Sequence, residues 1–476
     1  MAASFSPGYR GLPQMAGLCT LADAQRSDWS VDESVRRQKH LHYLLRRAYE
    51  IFTFRITGEP IYELKMAFSY HGYLCAEQVG AVRKRVGEMR EPPLGLDQVP
   101  HPGLKHFCDE ILAAPSSETL VFGLYEHLIP AIEDISGNLI RDAHPLADSP
   151  TVRVARLILS DLAEIQEYGH EALKCLVTDD QRREFEPWAK CLQQCLSAVG
   201  GPDGTQLSTG ELPAAMFLAT PFQFQSEPQR DERFQDPFNA GVNPEAFLYD
   251  ERFSPRDKTL MMYYKRIREL DVPEMMASIL YDLNHEEPWG FHEEMSRQLW
   301  DEARHAMMGE VGFASLGLDW TEIPINFTWS RNLNSQLNAR ERHGVLYFIE
   351  QGLMPKTGKR YEWEVGLESG DSLSALFQDF DWADEVLHSQ IGRRWYVPRF
   401  SSLNEALDYG DDCWSKVMSH WRDDRDQGRT EHRNWWPDLY RQACAGWGVD
   451  PDPAALAYDE TYEDTRADLK DISMSG

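Results

Sequence analysis

Two segments of the chain, Asp301-Glu302-Ala303-Arg304-His305 and Asp384-Glu385-Val386-Leu387-His388, repeat an Asp-Glu-x-x-His pattern in strongly helical surroundings. On an α-helix residues i and i+3 leave from one face, so the Glu and His of each segment can reach the same cation. Two such helices facing each other, with one further Glu from each of two neighbours, would enclose a carboxylate-bridged pair of metal ions. Oxygen-rich ligation with one imidazole per metal suits iron or manganese better than a thiophilic metal. Four carboxylates crowded into an apolar interior would repel each other, and two divalent cations would balance them. Asp301 and Asp384 each sit four residues before a histidine. Each is either an acceptor that fixes an imidazole tautomer or a solvated acid.

Groups of this kind need helices to hold them, and helices dominate the chain. Apolar residues recur at three- and four-residue spacing from RRQKHLHYLLRRAYEIFTF through about 61–89, 118–141, 151–176 and 181–198. The pattern collapses over 200–256, a turn-rich polar stretch that reads as a long crossing. It resumes at about 257–284, 288–314, 333–353 and 372–392, and strand signals are scarce throughout. The expectation is an all-α protein with an irregular arm (1–33), a first helical bundle (34–199), the crossing (200–256), a second bundle (257–395) and a C-terminal wrap (396–476) with short helices. Scattered Trp414, Trp421, Trp435 and Trp436 fit packing of that wrap better than a ligand cage.

The second bundle reads as two hairpins, one closed tightly at Asn284 to Trp289, the other by a looser loop from Met354 to about Asp371. In an antiparallel pair, a ligand after the turn faces one about as far before it. A turn centred near Pro288 reflects Glu302 onto Glu274, with Glu269 as the alternative. For Glu385 the partner helix offers Glu350 and Glu341; Glu350 is preferred because its 35-residue offset lies nearer the 28 residues between Glu274 and Glu302. The candidate metal ligands are therefore Glu274, Glu302, His305, Glu350, Glu385 and His388, with Glu302 and Glu385 as the bridging, catalytic carboxylates. Tyr281 and Tyr347 are spaced to point toward the same core, for packing or for redox and hydrogen-bonding roles.

The segments WDEARHAMMGEVGFASLG, FIEQGLM and DEVLHSQIGRRW resemble the ferritin-like superfamily of carboxylate di-iron proteins, and more closely a group of bacterial ferritin-like proteins. The resemblance covers about 257–395. It implies a ferritin-like four-helix bundle with two iron ions (or manganese, or a mixed pair). It also implies a non-haem oxidase or oxygenase that uses dioxygen and an electron donor on a small organic substrate. Iron handling or peroxide detoxification, and a metal-stabilised binding scaffold, stand as alternatives. The first bundle reads as a diverged copy: Glu50 and Glu77 are 27 residues apart, but Gly80 stands where the first His should fall. Glu126, Glu133, Glu164, Glu167 and His170 remain in its later helices.

Composition narrows the partners. The net charge of −29 argues against nucleic acid or an anionic membrane as a partner. No apolar run approaches the length of a membrane span. Eight scattered cysteines without a CxxC pair or an apparent signal peptide fit a reducing cytoplasm. Cys191 and Cys195 lie one helical turn apart, and a homodimer is compatible with the chain.

Overall fold

The computed structural model describes residues 8–90, 95–239, 241–355, 357–418 and 421–461. It is all-α, with no strand among the described residues. Two ends of the expected arrangement, 1–7 of the arm and the acidic stretch 462–476 of the wrap, lie outside them, as does the side chain of Trp421. The chain divides into two compact units, residues 1–52 with 71–223, and residues 53–70 with 224–476. The division thus falls inside the crossing, and a short piece of the first-half chain groups with the second unit.

The first unit is built on α1 (Val31–Arg55) up to residue 52, α2 (Tyr62–Gly87) from residue 71, α3 (Pro102–Leu112), α4 (Ile129–Asp142), α5 (Ser149–Leu176) and α6 (Asp179–Val199). α3 was not anticipated, because Pro102 reads as a breaker. It stands instead in the first turn, where its missing N–H costs nothing. α6 starts on a capping box in which Thr178 and Gln181 exchange hydrogen bonds, and ends on Gly200 in the left-handed region.

In the second unit the long predicted helix 257–284 is two helices, α7 (Pro255–Arg268) and α8 (Asp271–Asp282), broken at Glu269 and Leu270. α9 (Trp289–Ser315) follows, then α10 (Thr328–Gln336) and α11 (Ala339–Gly352) in place of a single helix 333–353. The stretch expected as a loose loop contains a further helix, α12 (Lys359–Ser369), before α13 (Ser372–Trp395). α14 (Leu403–Met418) and α15 (Trp436–Trp447) belong to the wrap.

α9 packs along α7 and α13, α11 along α13 and α8, and α12 against α7 and α13. Close approach is set by glycine: a Cβ at Gly309 would stand 2.3 Å from the backbone N of Ile267, and one at Gly392 2.2 Å from the Tyr347 ring. Trp435 packs on Tyr264, and Trp436 stacks on Tyr440 and meets Phe247, so both close a core.

Candidate metal centre

α9 turns one face inward, with Gln298, Glu302, His305, Ala306 and Gly309 buried. α13 does the same with Gln378, Asp381, Glu385 and His388. These residues fall at the three- and four-residue steps of a single helical stripe. The last turn of α11 adds Glu350, and the break after α7 frees Glu269 to turn toward them.

The side chains form two groups that share Glu385. One is Glu302, Glu350, Glu385 and His388; the other is Glu269, His305, Asp381 and Glu385. Within each group the donor atoms all lie within 4.8 Å of one another. His388 Nδ1 is 3.2 Å from Glu302 Oε1 and 3.4 Å from Glu385 Oε2. His305 Nδ1 is 3.3 Å from Glu269 Oε2 and 3.5 Å from Asp381 Oδ1. None of these contacts has hydrogen-bonding geometry. Nδ1 of both histidines, Glu269 Oε2, Glu302 Oε1 and Glu385 Oε2 are buried without a hydrogen-bond partner. Five orphaned atoms converging on one place is a costly arrangement unless a cation completes it.

The outer nitrogens of the imidazoles are occupied, and in a crossed pattern. His305 Nε2 is 3.1 Å from Asp384 Oδ2, and His388 Nε2 is 3.3 Å from Asp301 Oδ2. Each motif's Asp therefore holds the other motif's His. An Nε2–H donated to Asp leaves the Nδ1 lone pair facing the carboxylates, as a metal ligand requires. Arg304 bridges Asp301 and Asp384, and Arg297 pairs with Asp301, which ties the two helices together outside the cluster.

Charge is concentrated here and burial is nearly complete. Burial disfavours the imidazolium of His305, but Asp381, Asp384, Glu269 and Glu302 outweigh it and raise its pKa well above the ordinary value. Asp301, Glu302 and Glu385 do the same for His388. Glu350 is pushed well above the carboxylate range by burial and by repulsion from Glu385. For Glu385 burial is overcome by the Lys359 ammonium and by the neighbouring Glu350 and His388, which hold its pKa well below that range. The two carboxyls of the pair are thus pushed in opposite directions, as expected when like charges share a dry site.

Two cations missed in the sequence enter the second group. Lys359 Nζ, the first residue of α12, lies 2.9 Å from both oxygens of Asp381 and 2.9 Å from Glu385 Oε1. Arg266, fully buried, pairs with Asp381 and lies 2.9 Å from Glu269. No Lys or Arg stands within ion-pair distance of Glu302 or Glu350 among the described residues. The two groups thus differ: in the first only the shared Glu385 meets a cation, while in the second Lys359 also holds Asp381, and Arg266 pairs with Asp381 and Glu269.

Of the six proposed ligands, Glu302, His305, Glu350, Glu385 and His388 come together and Glu274 does not. Glu274 is buried in a separate network, 2.5 Å from Lys65 Nζ and 2.9 Å from Arg230, with Ser330 donating to it. Its oxygens are fully used. The acid from this segment is Glu269, for a geometric reason: the connection runs from Leu283 to Pro288, so its centre lies before Pro288 and the reflected position moves back by five residues. Glu341 is no competitor for Glu350, because it closes a capping box with Asn338 at the start of α11. Tyr281 packs between Phe54 and Phe224, and Tyr347 against Tyr396. Asp381 could have been found in the sequence as the residue one turn before Glu385.

A cavity of about 250 Å³ opens beside the cluster. Glu269, Glu302, Glu350, Glu385 and Lys359 form one side of it, and Trp329, Trp414, Leu346, Ile349, Leu353 and Val272 supply apolar walls.

In the first unit Glu77, Glu164, Glu167 and His170 are exposed. Glu50 is buried between Arg46 and Arg47. None of them belongs to a group of converging ligand atoms among the described residues. No helix of the described residues is long and apolar enough to cross a membrane. No protein-family model, curated protein or solved structure matches this chain.

Proposed function

We propose that the second unit is a ferritin-like bundle carrying a non-haem two-metal centre, iron or manganese, and that it uses dioxygen to oxidise a small organic molecule. The observation that carries the reading is the convergence of five orphaned ligand atoms, with both imidazoles turned Nδ1-inward by crossed aspartates. The ligands are Glu302, Glu350, Glu385 and His388 for one ion and Glu269, His305, Asp381 and Glu385 for the other. Glu385 is shared, and Glu302 lies between the two histidines, 3.2 Å from His388 Nδ1 and 3.7 Å from His305 Nδ1. Bound iron would supply the electrons and open positions that dioxygen needs.

The chain's own residues do the rest. Asp301 and Asp384 orient the imidazoles with Nδ1 inward, and Gln298 donates to Glu350 Oε1 at 3.1 Å to fix its rotamer. Lys359 draws Asp381 and Glu385 toward itself, so the second position fills only as its ammonium gives up those oxygens. The apolar walls of the cavity exclude water and hold an organic substrate against the carboxylates. That cavity favours the enzyme over a closed, purely structural metal site.

The test is anaerobic ferrous loading followed by oxygen exposure and optical spectroscopy. About two metals per chain and an oxygen-dependent chromophore are expected. Metal uptake that survives Glu302→Ala and His388→Ala would end the reading.

A further inference from the structure

A second set of ligand-bearing side chains lies in the first unit and has no part in the oxidase reading. α3 carries His106, and α6 carries Cys191 and Cys195 one turn apart on its inner face. One imidazole nitrogen of His106 and the two sulfurs lie within 4.8 Å of one another. Both cysteines are buried, and His106 Nε2 is buried with no hydrogen-bond partner. It lies 3.6 Å from Glu110 Oε1, outside hydrogen-bonding geometry. Glu110 itself is taken: it accepts from Trp188 Nε1 and from the backbone N–H groups of Met216, Phe217 and Leu218.

We infer that His106, Cys191 and Cys195 form a binding site for a thiophilic divalent cation, zinc by the charge balance. Two thiolates and a neutral imidazole around a divalent ion make a site of zero net charge, the only kind that burial tolerates cheaply. Two sulfurs exclude the oxygen-preferring metals suited to the other cluster. Three protein ligands leave one coordination position for water, which the slight exposure of His106 permits. Cysteine binds a metal as the thiolate, so uptake of the ion releases the thiol protons. The ion would clasp α3 to α6 across more than eighty residues of sequence, a structural staple in a unit without disulfides among its described cysteines.

The experiment uses the full chain, reduced and metal-free, titrated with Co2+ as a spectroscopic substitute for zinc. Sulfur-to-cobalt charge transfer can arise only from cysteine ligands, and the carboxylate cluster contains none. The expected result is a saturable band, bleached by Zn2+ and lost in Cys191→Ser and Cys195→Ser, whose full amplitude corresponds to one thiolate-bound Co2+ per chain whatever the carboxylate cluster takes up. The band should persist in Cys108→Ser and in the Glu302→Ala/His388→Ala pair, so the outcome is independent of the oxidase proposal. Absence of the band in the wild-type chain, or its persistence in both cysteine variants, overturns the site. If either variant fails to fold, thiol alkylation of the wild-type chain with and without Zn2+ decides. Metal should protect Cys191 and Cys195; protection of neither, or of other cysteines instead, overturns the proposal.

Discussion

The Glu-x-x-His spacing occurs in both units, with opposite results. On α9 and α13 the Glu and His are buried and meet ligands from two other segments; on α5, Glu167 and His170 face solvent. The difference lies in the phase of the surrounding stripe. On α5 the buried positions are Ile158, Leu162, Ile165, Gly169 and Ala172, and a Cβ at Gly169 would strike the Tyr125 ring at 2.3 Å. Glu167 and His170 share their face with Glu164, Glu171 and Lys174, which is a solvated face. On α9 the same spacing falls among Met295, Leu299, Ala306 and Gly309. A motif places two side chains together, and the apolar phase decides whether they look inward.

The largest effect expected from breaking this contrast is at Glu385, the residue common to both ligand groups. Glu385→Ala should abolish stoichiometric metal binding at both positions, read by elemental analysis after dialysis. Retention of even one tightly held iron or manganese ion would show that the groups are independent and that the shared carboxylate is no bridge.

Lys359 distinguishes the two groups from each other. Removing it leaves Asp381 and Glu385 short of a buried partner, so metal-free Lys359→Met should lose about 3–5 kcal/mol of stability, on the scale of other broken buried pairs. Added metal should restore that loss, and the second equivalent should bind more tightly than in the wild-type chain. A thermal shift on metal addition no larger than the wild type's would remove Lys359 from the second position.

The crossed aspartates offer a finer test. Asp384→Asn keeps the volume but can no longer hold His305 as a charged acceptor, and should cost about 10–100-fold in metal affinity. The weakened position should be the His305 one, not that of His388 in the same helix as the substitution. Loss at the His388 position would replace the crossed pattern by an ordinary within-motif pair.

Protons compete at the same atoms. With His305, His388 and Glu350 all raised, the metal-free cluster holds protons that binding must expel, so apparent metal affinity should rise with pH. The stability of the metal-free protein should run the other way. An imidazole whose pKa is raised on folding stabilises fully below its unfolded value of about 6.5, and loses that contribution as pH rises through the folded value. Denaturation of the metal-free chain from pH 6 upward should therefore show falling stability that metal abolishes; a flat profile would mean that the imidazoles are neutral without metal.

Much of this site was legible in the sequence. Glu302, His305, Glu385 and His388 follow from the repeated motif, and Glu350 from the facing helix. Glu274 misled because it occupies a plausible position on what reads as a continuous helix. The break at Glu269 has no glycine to announce it, only Pro273 in what becomes the first turn of α8, and the pairing of Glu274 with Lys65 and Arg230 is tertiary. Lys359 and Arg266 were invisible for a related reason. A Gly-rich stretch reads as a loop, yet Lys359 to Ser369 is helical, and nothing local says that its first side chain enters a cluster of acids. The all-α class needed only periodicity, whereas ion pairs between distant segments depend on how the helices pack.

The smallest effect predicted is none, and it tests the contrast from its other side. Glu167→Ala with His170→Ala removes a complete Glu-x-x-His pair from an exposed helix face. Surface substitutions of this kind stay within about 0.5 kcal/mol, and the stability of the chain should too. Metal content should be unchanged, because neither residue converges with another ligand among the described residues. The same double removal on α9, at Glu302 and His305, takes ligands from both groups. The two results together separate spacing from setting: if the α5 pair proves to hold metal, burial phase is not what makes the motif a site, and the reading of α9 and α13 loses its physical basis as well.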